Sequence, residues 1–461
     1  DIIEIDKRSF ENIYDTNFRT HNVKRATNMR LEEAANAYIF NNLLFRSSLT
    51  LFIILILSWM SHLSILGITF NIIFFISALF KIFLLYISAI SNRDNFDIKN
   101  LNQENLPVYT IIVPLFREAA KVRNILKSIS NINYPTSKLD VKIVVEEDDV
   151  QTIKALYIEN IPHWFSIVKV PNYGPKTKPK ACNYAARLAK GEFLVVYDAE
   201  DKPEPDQLLK AVSKFRELGN EVACLQAILK INNNKNNLLC NCFKFEYEFW
   251  FAHMLFAISK LGLPITLGGT SNHFRTVKLK DAKFWDPYNV TEDAELGIRL
   301  NLKGYEVHML NSTTEEEGPL SLLSWIKQRV RWIKGFMITY IVYLLSDKSS
   351  QKISDKLSIH FFVGFSFITF LGLPFIIFFN FFGKVGHIEY LIGNFNLISF
   401  LALFWTAPIM FNDYCKKGHM LDILTTLIFP LYFILHSISS FLAVLEILFK
   451  PFRWNKTDHG M

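Results

Sequence analysis

The sequence predicts a mainly parallel α/β domain joined to an α-helical transmembrane region. Three observations predict this architecture. Long uncharged apolar runs lie near both ends of the chain, whereas the middle is charged. In that middle part, short β-branched runs alternate with helical runs, as in sheets whose parallel strands are connected by helices. Acidic residues directly follow two strand candidates, and such sheets bind ligands at the carboxyl ends of their strands.

The composition argues against several other classes of protein. The chain has 461 residues, a net charge of +7 and 50% hydrophobic residues, enough for about two or three domains. A modest basic excess beside apolar runs is typical of loops that face anionic lipid. No aromatic-interleaved basic patch indicates nucleic acid, so no such partner is expected. The 5 cysteines are scattered, which indicates thiols in a reducing compartment and not a disulfide framework.

The first part of the chain predicts a polar segment followed by two membrane helices. Residues 1–45 are polar, and no pattern in them indicates a function. Within residues 46–91, the apolar runs 48–65 and 70–90 are each close to the ~20 residues that a helix needs to cross a bilayer.

Positive charges predict the orientation of these two helices. The link at 61–69 contains no Lys or Arg, whereas Arg46 and Arg93 flank the pair. Because basic loops stay on the cytoplasmic side, both flanks and the domain that follows are predicted to be cytoplasmic. The chain is therefore expected to be an integral protein of an inner or plasma membrane.

Residues 105–318 predict the sheet domain. Its strand candidates are 109–113, 141–145, 166–170, 193–197 and 222–227. Its helix candidates are 117–130, 178–189, 205–218 and 292–303. A helix between two strands returns the chain to the same end of the sheet, and this makes neighbouring strands parallel.

Residues 319–340 predict an amphipathic helix that lies in the membrane interface. Its apolar face contains Leu322, Ile326, Val330, Ile333 and Met337. Its polar face contains Lys327, Arg331 and Lys334.

The region 356–449 predicts further helices in or at the membrane, with full spans at 360–382 and 390–411. The last run, 421–449, is harder to interpret. A single crossing would put the basic tail, residues 450–461, outside, against the positive-inside rule. We therefore interpret this run as interfacial or broken near Pro430, followed by a cytoplasmic tail.

Two acidic clusters follow strand candidates. Asp198-Ala199-Glu200-Asp201 comes after a strongly apolar strand, and carboxylates in that position suit a divalent cation that also binds substrate phosphates. A solvated acidic loop or a helix N-cap explains this motif alone equally well. The second cluster is Glu146-Glu147-Asp148-Asp149. Two such clusters at one sheet edge would repel each other unless a positive group lies between them.

Three further motifs have both a functional and an ordinary interpretation. Lys176-Thr177-Lys178-Pro179-Lys180 opens the helix candidate that carries Asn183, and lysines at a helix N-terminus suit a diphosphate; a solvated basic loop is the alternative. Thr291-Glu292-Asp293 could be a capped helix N-terminus. Gln328-Arg329-Val330-Arg331-Trp332 could be the polar side of the interfacial helix.

Together, the order and spacing of these motifs resemble the membrane-integrated family-2 glycosyltransferases, the class of cellulose, hyaluronan, chitin and β-mannan synthases. The resemblance covers residues 109–460, and the sequence around these motifs is most similar to bacterial exopolysaccharide synthases of this class. It implies a GT-A-like fold for the nucleotide-sugar domain. Residues 454–457 are similar to a loop that closes over bound nucleotide in the cellulose synthases, which makes the tail a candidate gating loop.

On the donor side, the resemblance implies roles for four residues. The family's Asp-x-Asp metal motif is similar to Asp198-Ala199-Glu200, which implies Mg²⁺ or Mn²⁺ bound by Asp198. The glutamate in this motif leaves open whether Glu200 or Asp201 is the second acid. Glu146 would hold the nucleotide, and Lys178 would be the lysine on the nucleotide side.

On the acceptor side, the matches to the family's motifs are complete. The Thr-Glu-Asp match implies that Asp293 is the catalytic base and that Glu292 lies beside the acceptor. The Gln-x-x-Arg-Trp match implies that Gln328 and Trp332 bind the acceptor and that Arg331 binds the diphosphate.

The implied function is inverting, processive transfer of a sugar from a UDP- or GDP-linked donor to a growing polysaccharide, coupled to movement of the glycan across the lipid bilayer. Accessory export proteins would be further partners. Two alternatives stay open. One is a non-processive transferase that loads one sugar onto a lipid carrier, and the other is a transporter or scaffold whose α/β domain has lost activity.

Overall fold

The computed structural model describes residues 21–27, 63–93, 98, 103–159, 161–232, 237–346, 348–349, 351–382 and 420–449. Apart from a short helix at 21–27, the polar region 1–45 lies outside the described residues. The predicted span at 390–411 and the tail at 450–461 also lie outside them.

An eight-stranded mixed sheet forms the centre of the soluble domain. Its strands are β1 (Tyr109–Leu115), β2 (Leu139–Glu146), β3 (Phe165–Val170), β4 (Phe193–Val196), β5 (Lys202–Pro203), β6 (Val222–Ile231), β7 (Asn272–Arg275) and β8 (Glu306–Glu316). Their order is β3-β2-β1-β4-β7-β6-β8-β5. The pairs β2–β3, β1–β2, β1–β4 and β6–β8 are parallel, so the prediction of a mainly parallel sheet is confirmed.

One strand in the middle of this sheet was not predicted. β7 runs antiparallel to both of its neighbours, β4 and β6. Its four residues show no apolar alternation, and hydrogen bonds from buried polar side chains hold them instead. Asn272 donates to the carbonyl of Gly268 at 2.7 Å, and a ring nitrogen of His273 lies 2.7 Å from the hydroxyl of Tyr109. The contact between His273 and Tyr109 joins residues 164 positions apart, so a local sequence pattern does not reveal it.

Thirteen α-helices of six or more residues lie in the described parts of the sequence after residue 27. They are α1 (Leu63–Ile90), α2 (Val122–Ser130), α3 (Val150–Ile158), α4 (Lys178–Ala186), α5 (Gln207–Leu218), α6 (Leu238–Tyr247), α7 (Leu255–Lys260), α8 (Thr276–Asp281), α9 (Glu292–Leu302), α10 (Leu322–Leu345), α11 (Ile353–Ile359), α12 (Phe365–Phe382) and α13 (Met420–Phe449). Two π-helical stretches, Glu248–Met254 and His360–Gly364, join α6 to α7 and α11 to α12.

Helices cover both faces of the sheet. Along β1, Ile111 packs in the same apolar cluster as Ile125 of α2, whereas Ile112 packs with Ala185 of α4 on the other face. This alternation is the two-residue period of a strand that is buried on both sides. The carboxyl ends of β1, β2 and β4 therefore meet at one edge, and the predicted acidic clusters lie there.

Three helices in the described part of the chain are long and apolar enough to cross a membrane, at Ile72–Ile90, Ile353–Pro374 and Leu427–Phe449. The first and second agree with the predicted runs 70–90 and 360–382. The predicted link at 61–69 is wrong from Leu63 onward, because Leu63–Ile90 is one continuous helix. It contains no proline and no charge before Lys81 that would end it.

The predicted break near Pro430 is also wrong. α13 is continuous through this proline. A proline removes one backbone hydrogen bond, and packing of the flanking residues compensates for the loss. Phe429 packs edge-to-face on Phe245 at a centroid distance of 4.5 Å, and Tyr432 packs on Trp325 at 5.1 Å.

The predicted helix at 319–340 is present as α10, with one correction to its faces. Lys334 does not lie on an exposed polar face, because its side chain is fully buried and its ammonium group lies 2.8 Å from Glu446 of α13. The ion pair joins α10 to α13, so both faces of α10 pack against protein in this part of the helix.

Candidate active site

In the loop after β4, the side chain of Asp201 is buried, whereas those of Asp198 and Glu200 are partly exposed. Asp201 is 1% exposed and accepts a hydrogen bond from the amide of Asp198 at 2.6 Å and another from the hydroxyl of Thr270. It therefore holds the loop closed. Asp198 stays partly exposed, and Glu200 lies 3.8 Å from the ammonium group of Lys121. Of the two acids left open as partners of Asp198, the geometry favours Glu200.

Lys178, at the first turn of α4, makes the contact that separates the acids. Its ammonium group lies 2.6 Å from Asp198 and also donates to the carbonyl of Gly269. Burial disfavours its charge, but Asp198, Asp293 and Glu292 together raise the pKa of Lys178 well above its ordinary value. The lysine is therefore the positive group between Asp198 and the acids of the Thr-Glu-Asp motif.

The Thr-Glu-Asp motif begins α9 directly beside this lysine. Asp293 is 7% exposed and accepts a hydrogen bond from the indole nitrogen of Trp285 at 2.7 Å. Burial, and then the neighbouring charge of Glu292, raise the pKa of Asp293 well above its ordinary value. A carboxylate whose proton affinity is raised in this way is a stronger base than a free aspartate.

α10 packs directly over this motif. A Cβ atom on Gly335 would lie 2.3 Å from the hydroxyl oxygen of Thr291, so the close approach requires a glycine. Asn289 adds a hydrogen bond of 3.1 Å to Thr339 of the same helix. Burial lowers the pKa of Arg331, although Glu292 and other acids of the site oppose this effect. The arginine on α10 therefore lies within electrostatic range of these acids.

The other two site residues predicted on α10, Gln328 and Trp332, lie on the same side of the helix as Arg331. Trp332 is half-buried and stands 6.1 Å, between ring centroids, from both Phe243 and Tyr247. Gln328 is 4% exposed, and its carbonyl oxygen has no hydrogen-bond partner among the described residues. A half-open aromatic ring beside an unsatisfied amide is suited to a sugar, which offers both a stacking face and hydroxyl donors.

A buried polar network lies next to Trp332. Glu246 accepts two hydrogen bonds from Arg329, at 2.8 and 2.6 Å, and others from Tyr432 and His436 of α13. The Arg329 guanidinium carbon also lies 4.6 Å from the centroid of the Trp332 ring. Burial opposes the charge of Glu246, but Arg329 and these hydrogen bonds lower its pKa to about 2. An ionic cluster therefore fills the space where α6, α10 and α13 meet.

Glu146 occupies a different environment from the other predicted site residues. It is 3% exposed and forms an ion pair with Lys180 at 2.8 Å, in which the lysine side chain is fully buried. The pair ties the end of β2 to α4. The contact between Glu146 and a nucleotide stays a prediction.

We expect Glu146→Gln to destabilise the fold, because Lys180 would keep a buried charge without its partner. The loss should be about 3–5 kcal/mol in the free energy of unfolding, measured by denaturant unfolding in detergent. Asp148→Asn is the matched control, since Asp148 and its partner Lys176 are 44% and 34% exposed, and such pairs contribute at most about 1 kcal/mol. Equal losses in both variants would contradict the structural role of the buried pair.

Two residues near the site had no signal in the sequence. Glu316 is one of three consecutive glutamates, and only the register of β8 distinguishes it from its neighbours. Burial, together with the charges of Asp198 and Glu200, raises the pKa of Glu316 to about 8. Trp285 precedes α9 by a few residues and resembles an ordinary core aromatic until its hydrogen bond is seen.

The acidic residues at this edge fit a divalent cation. Asp198 and Glu200 offer hard oxygen ligands, and their effect on Glu316 shows an excess of negative charge there. No group of three His, Cys, Asp or Glu side chains in the described part of the chain forms a ready metal cage. A cation at this edge would therefore need further oxygen ligands, and substrate phosphates commonly supply them.

Comparisons with known proteins identify a family and several relatives. Residues 107–335 match the family model described as glycosyltransferase like family 2. A β-monoglucosyldiacylglycerol synthase of Nostoc sp. (strain PCC 7120) is 27% identical over 248 residues, which cover 52% of this chain and 51% of that protein. Glucomannan 4-β-mannosyltransferase 2 of Arabidopsis thaliana is 22% identical over 250 residues, 52% of this chain and 46% of that one. The chain thus spans about half the length of the curated relatives that it matches.

The fold is also similar to a solved structure. The mannosyltransferase PcManGT of Pyrobaculum calidifontis, determined in complex with GDP-Man and Mn²⁺, superposes with a TM-score of 0.54 at 18% sequence identity. The superposition covers 82% of this chain and 99% of that one. Together with the family match, it confirms the predicted fold class, a GT-A-like domain accompanied by apolar helices.

Proposed function

Because residues 107–335 belong to the family-2 glycosyltransferases, we propose that the chain transfers a hexose from a nucleotide-sugar to an acceptor hydroxyl at the membrane surface. The observation that carries the proposal is the meeting of a buried carboxylate, Asp293, with Lys178 and Asp198 directly beneath α10. Few structural roles would justify so many buried charges, since each of them costs free energy unless it is paired.

Asp293 would act as the general base. It would take the proton of the acceptor hydroxyl while the hydroxyl oxygen forms a bond to the anomeric carbon. The bond between that carbon and the diphosphate would break, and the nucleoside diphosphate would leave with the electron pair. A single displacement of this kind inverts the configuration at the anomeric carbon. Glu292 would accept a further hydrogen bond from the acceptor sugar.

Lys178 and Arg331 would stabilise the leaving diphosphate. Both cations lie at the same acidic site, one at a helix N-terminus below it and the other on α10 above it. Asp198 and Glu200 would hold Mg²⁺ or Mn²⁺, which would neutralise charge on the diphosphate. Glu146, through its position at the end of β2, would support the nucleotide side.

The first candidate for the acceptor is a growing polysaccharide. Trp332 would stack on its terminal sugar and Gln328 would accept a hydrogen bond from it, which fixes the attacking hydroxyl near Asp293. Three helices long enough to cross a membrane support membrane association. An inner or plasma membrane with the catalytic domain in the cytoplasm would let the product leave through the bilayer, aided by export partners.

A lipid acceptor that receives one sugar is the second candidate, and one observation favours it. The space between α6, α10 and α13 beside Trp332 is filled by the cluster around Glu246, where a passing glycan would need room. The Nostoc relative is named for a reaction product built on diacylglycerol. A lipid acceptor would approach from the bilayer and would not need that space.

The experiment is a panel of UDP- and GDP-sugars supplied with Mn²⁺ to membranes that contain the protein. We expect nucleoside diphosphate release with one donor, and loss of that release with a chelator. A product that lengthens with time supports the polysaccharide acceptor, and a lipid-soluble product with one added sugar supports the lipid acceptor. Absence of release with every donor would contradict the proposed activity and favour a scaffold.

A further inference from the structure

Trp285 lies in the loop before α9 and is almost completely buried, at 2% exposure. Its ring packs edge-to-face on Phe274 of β7, with the centroids 5.5 Å apart and the planes at 89°. Its indole N–H donates to Oδ1 of Asp293 at 2.7 Å. In the described residues, the second carboxylate oxygen of Asp293 accepts no hydrogen bond, so the indole orients the carboxylate and leaves this oxygen available.

The backbone of Trp285 is fixed as well. Asn183 of α4 accepts from the amide nitrogen of Trp285 at 3.0 Å and donates to its carbonyl oxygen at 2.8 Å. The same side chain donates to the carbonyl of Ala26, in the helix at residues 21–27, at 3.1 Å. Asn183 is fully buried. The side-chain amide of Asn183 therefore fixes the loop to α4, the helix that carries Lys178. This fixes the position of the Trp285 indole as well.

We propose that Trp285 is a positioning residue for the base: its indole N–H holds one oxygen of Asp293 so that the other faces the acceptor hydroxyl. This inference rests on the proposed function, because it requires Asp293 to be the base. The indole makes no contact with a reacting atom in this scheme. It acts by fixing the rotamer of the carboxylate and by favouring the charged form that accepts a proton.

The charges around Asp293 determine what removal of this N–H would do. The groups that interact with it electrostatically are Glu292 on its own helix, Lys178 and Cys182 on α4, Asp198 beyond β4 and Cys224 on β6. Lys178 and the indole favour the carboxylate, whereas Glu292 and Asp198 disfavour it. Without the indole N–H the pKa of Asp293 rises further, so more of the base is protonated at a given pH.

The test is Trp285→Phe, which keeps an aromatic ring against Phe274 and removes the N–H donor together with part of the indole ring. We expect the acid limb of the kcat–pH profile to move upward by ~1 pH unit and kcat at neutral pH to fall ~10-fold, with the donor KM unchanged. The deficit should shrink as the pH rises, because the base is then deprotonated in both proteins. A purely structural defect would not depend on pH in this way.

Trp325→Phe is the matched control. Trp325 is also fully buried, and its indole N–H donates to the hydroxyl of Tyr432 at 2.7 Å, away from Asp293. In Trp325→Phe, the acid limb of the kcat–pH profile should stay at the parent position. Should Trp285→Phe fail to fold, β-(3-benzothienyl)alanine at position 285 preserves the ring shape and replaces the N–H by sulfur, and the same shift is expected.

Three results would overturn the inference. The first is an acid limb that does not move when the Trp285 N–H is lost, while Asp293→Asn still inactivates the enzyme. Asp293 would then remain the base, but the indole would have no role in positioning it. Equal shifts in the Trp285 and Trp325 variants would show a general effect of losing a buried donor. Parent activity in Asp293→Asn would instead refute the proposed base, and the inference with it.

Discussion

Replacing Asp293 with asparagine should lower the rate of sugar transfer by ~10²–10⁴-fold, which is the usual contribution of a general base. The substitution changes neither the size of the side chain nor the oxygen that accepts from the Trp285 indole at 2.7 Å. It removes the negative charge of the carboxylate and, with it, the ability to take a proton. The measurement is the initial rate of nucleoside diphosphate release at saturating donor, together with the affinity for the donor.

Donor affinity should be nearly unchanged in Asp293→Asn, since the base acts on the acceptor. Asp281→Asn is the control, because Asp281 is a half-exposed carboxylate of the same domain that contacts Lys303 and Tyr305 away from the site. It should transfer at the parent rate. Parent-level transfer by Asp293→Asn would show that another group takes the proton.

Replacing Arg331 with lysine should lower kcat by ~10²–10³-fold, the usual cost of losing one preorganised group that stabilises developing charge. Lysine keeps the positive charge but loses the planar set of donors that can bind two phosphate oxygens at once. Arg331 interacts electrostatically with Glu292, Asp198 and Glu200, so a lysine at this position would still have acids nearby but could not form the two parallel hydrogen bonds. Initial rates with the parent's donor measure the effect.

Lys327→Gln is the matched control for the arginine. Lys327 lies one helical turn earlier on α10 and is exposed, so its loss changes the charge of the helix without touching the acidic site. We expect the parent rate. A full rate in Arg331→Lys, or an equal loss in Lys327→Gln, would mean that only the general charge of α10 matters.

The strands that could be predicted are those whose own residues display a pattern. β1, β2, β3, β4 and β6 are rich in β-branched residues and are buried, and each was predicted within a few residues of its observed bounds. β7 could not be predicted, because its residues are mostly polar and the contact that holds His273 comes from Tyr109, far away in the sequence. The proline in α13 was misjudged for a related reason, since packing around it decides whether the helix continues.

The residues of the site likewise divide into those that a sequence pattern reveals and those that only long-range contacts reveal. Motif order along the chain is sufficient to group Asp198, Lys178 and Asp293, and the structure brings these three together. The contacts that orient them are invisible in a single sequence. Trp285 resembles any core tryptophan, and Lys334 resembles a surface lysine until Glu446 of a distant helix is found beside it.

The configuration of the new glycosidic bond tests the proposed mechanism most directly. It can be determined by NMR on the product formed from an α-linked nucleotide-sugar. We predict a β-linked product, because one base, Asp293, serves a single displacement at the anomeric carbon. An α-linked product would require two displacements or attack from the leaving-group side, and it would contradict the role proposed for Asp293.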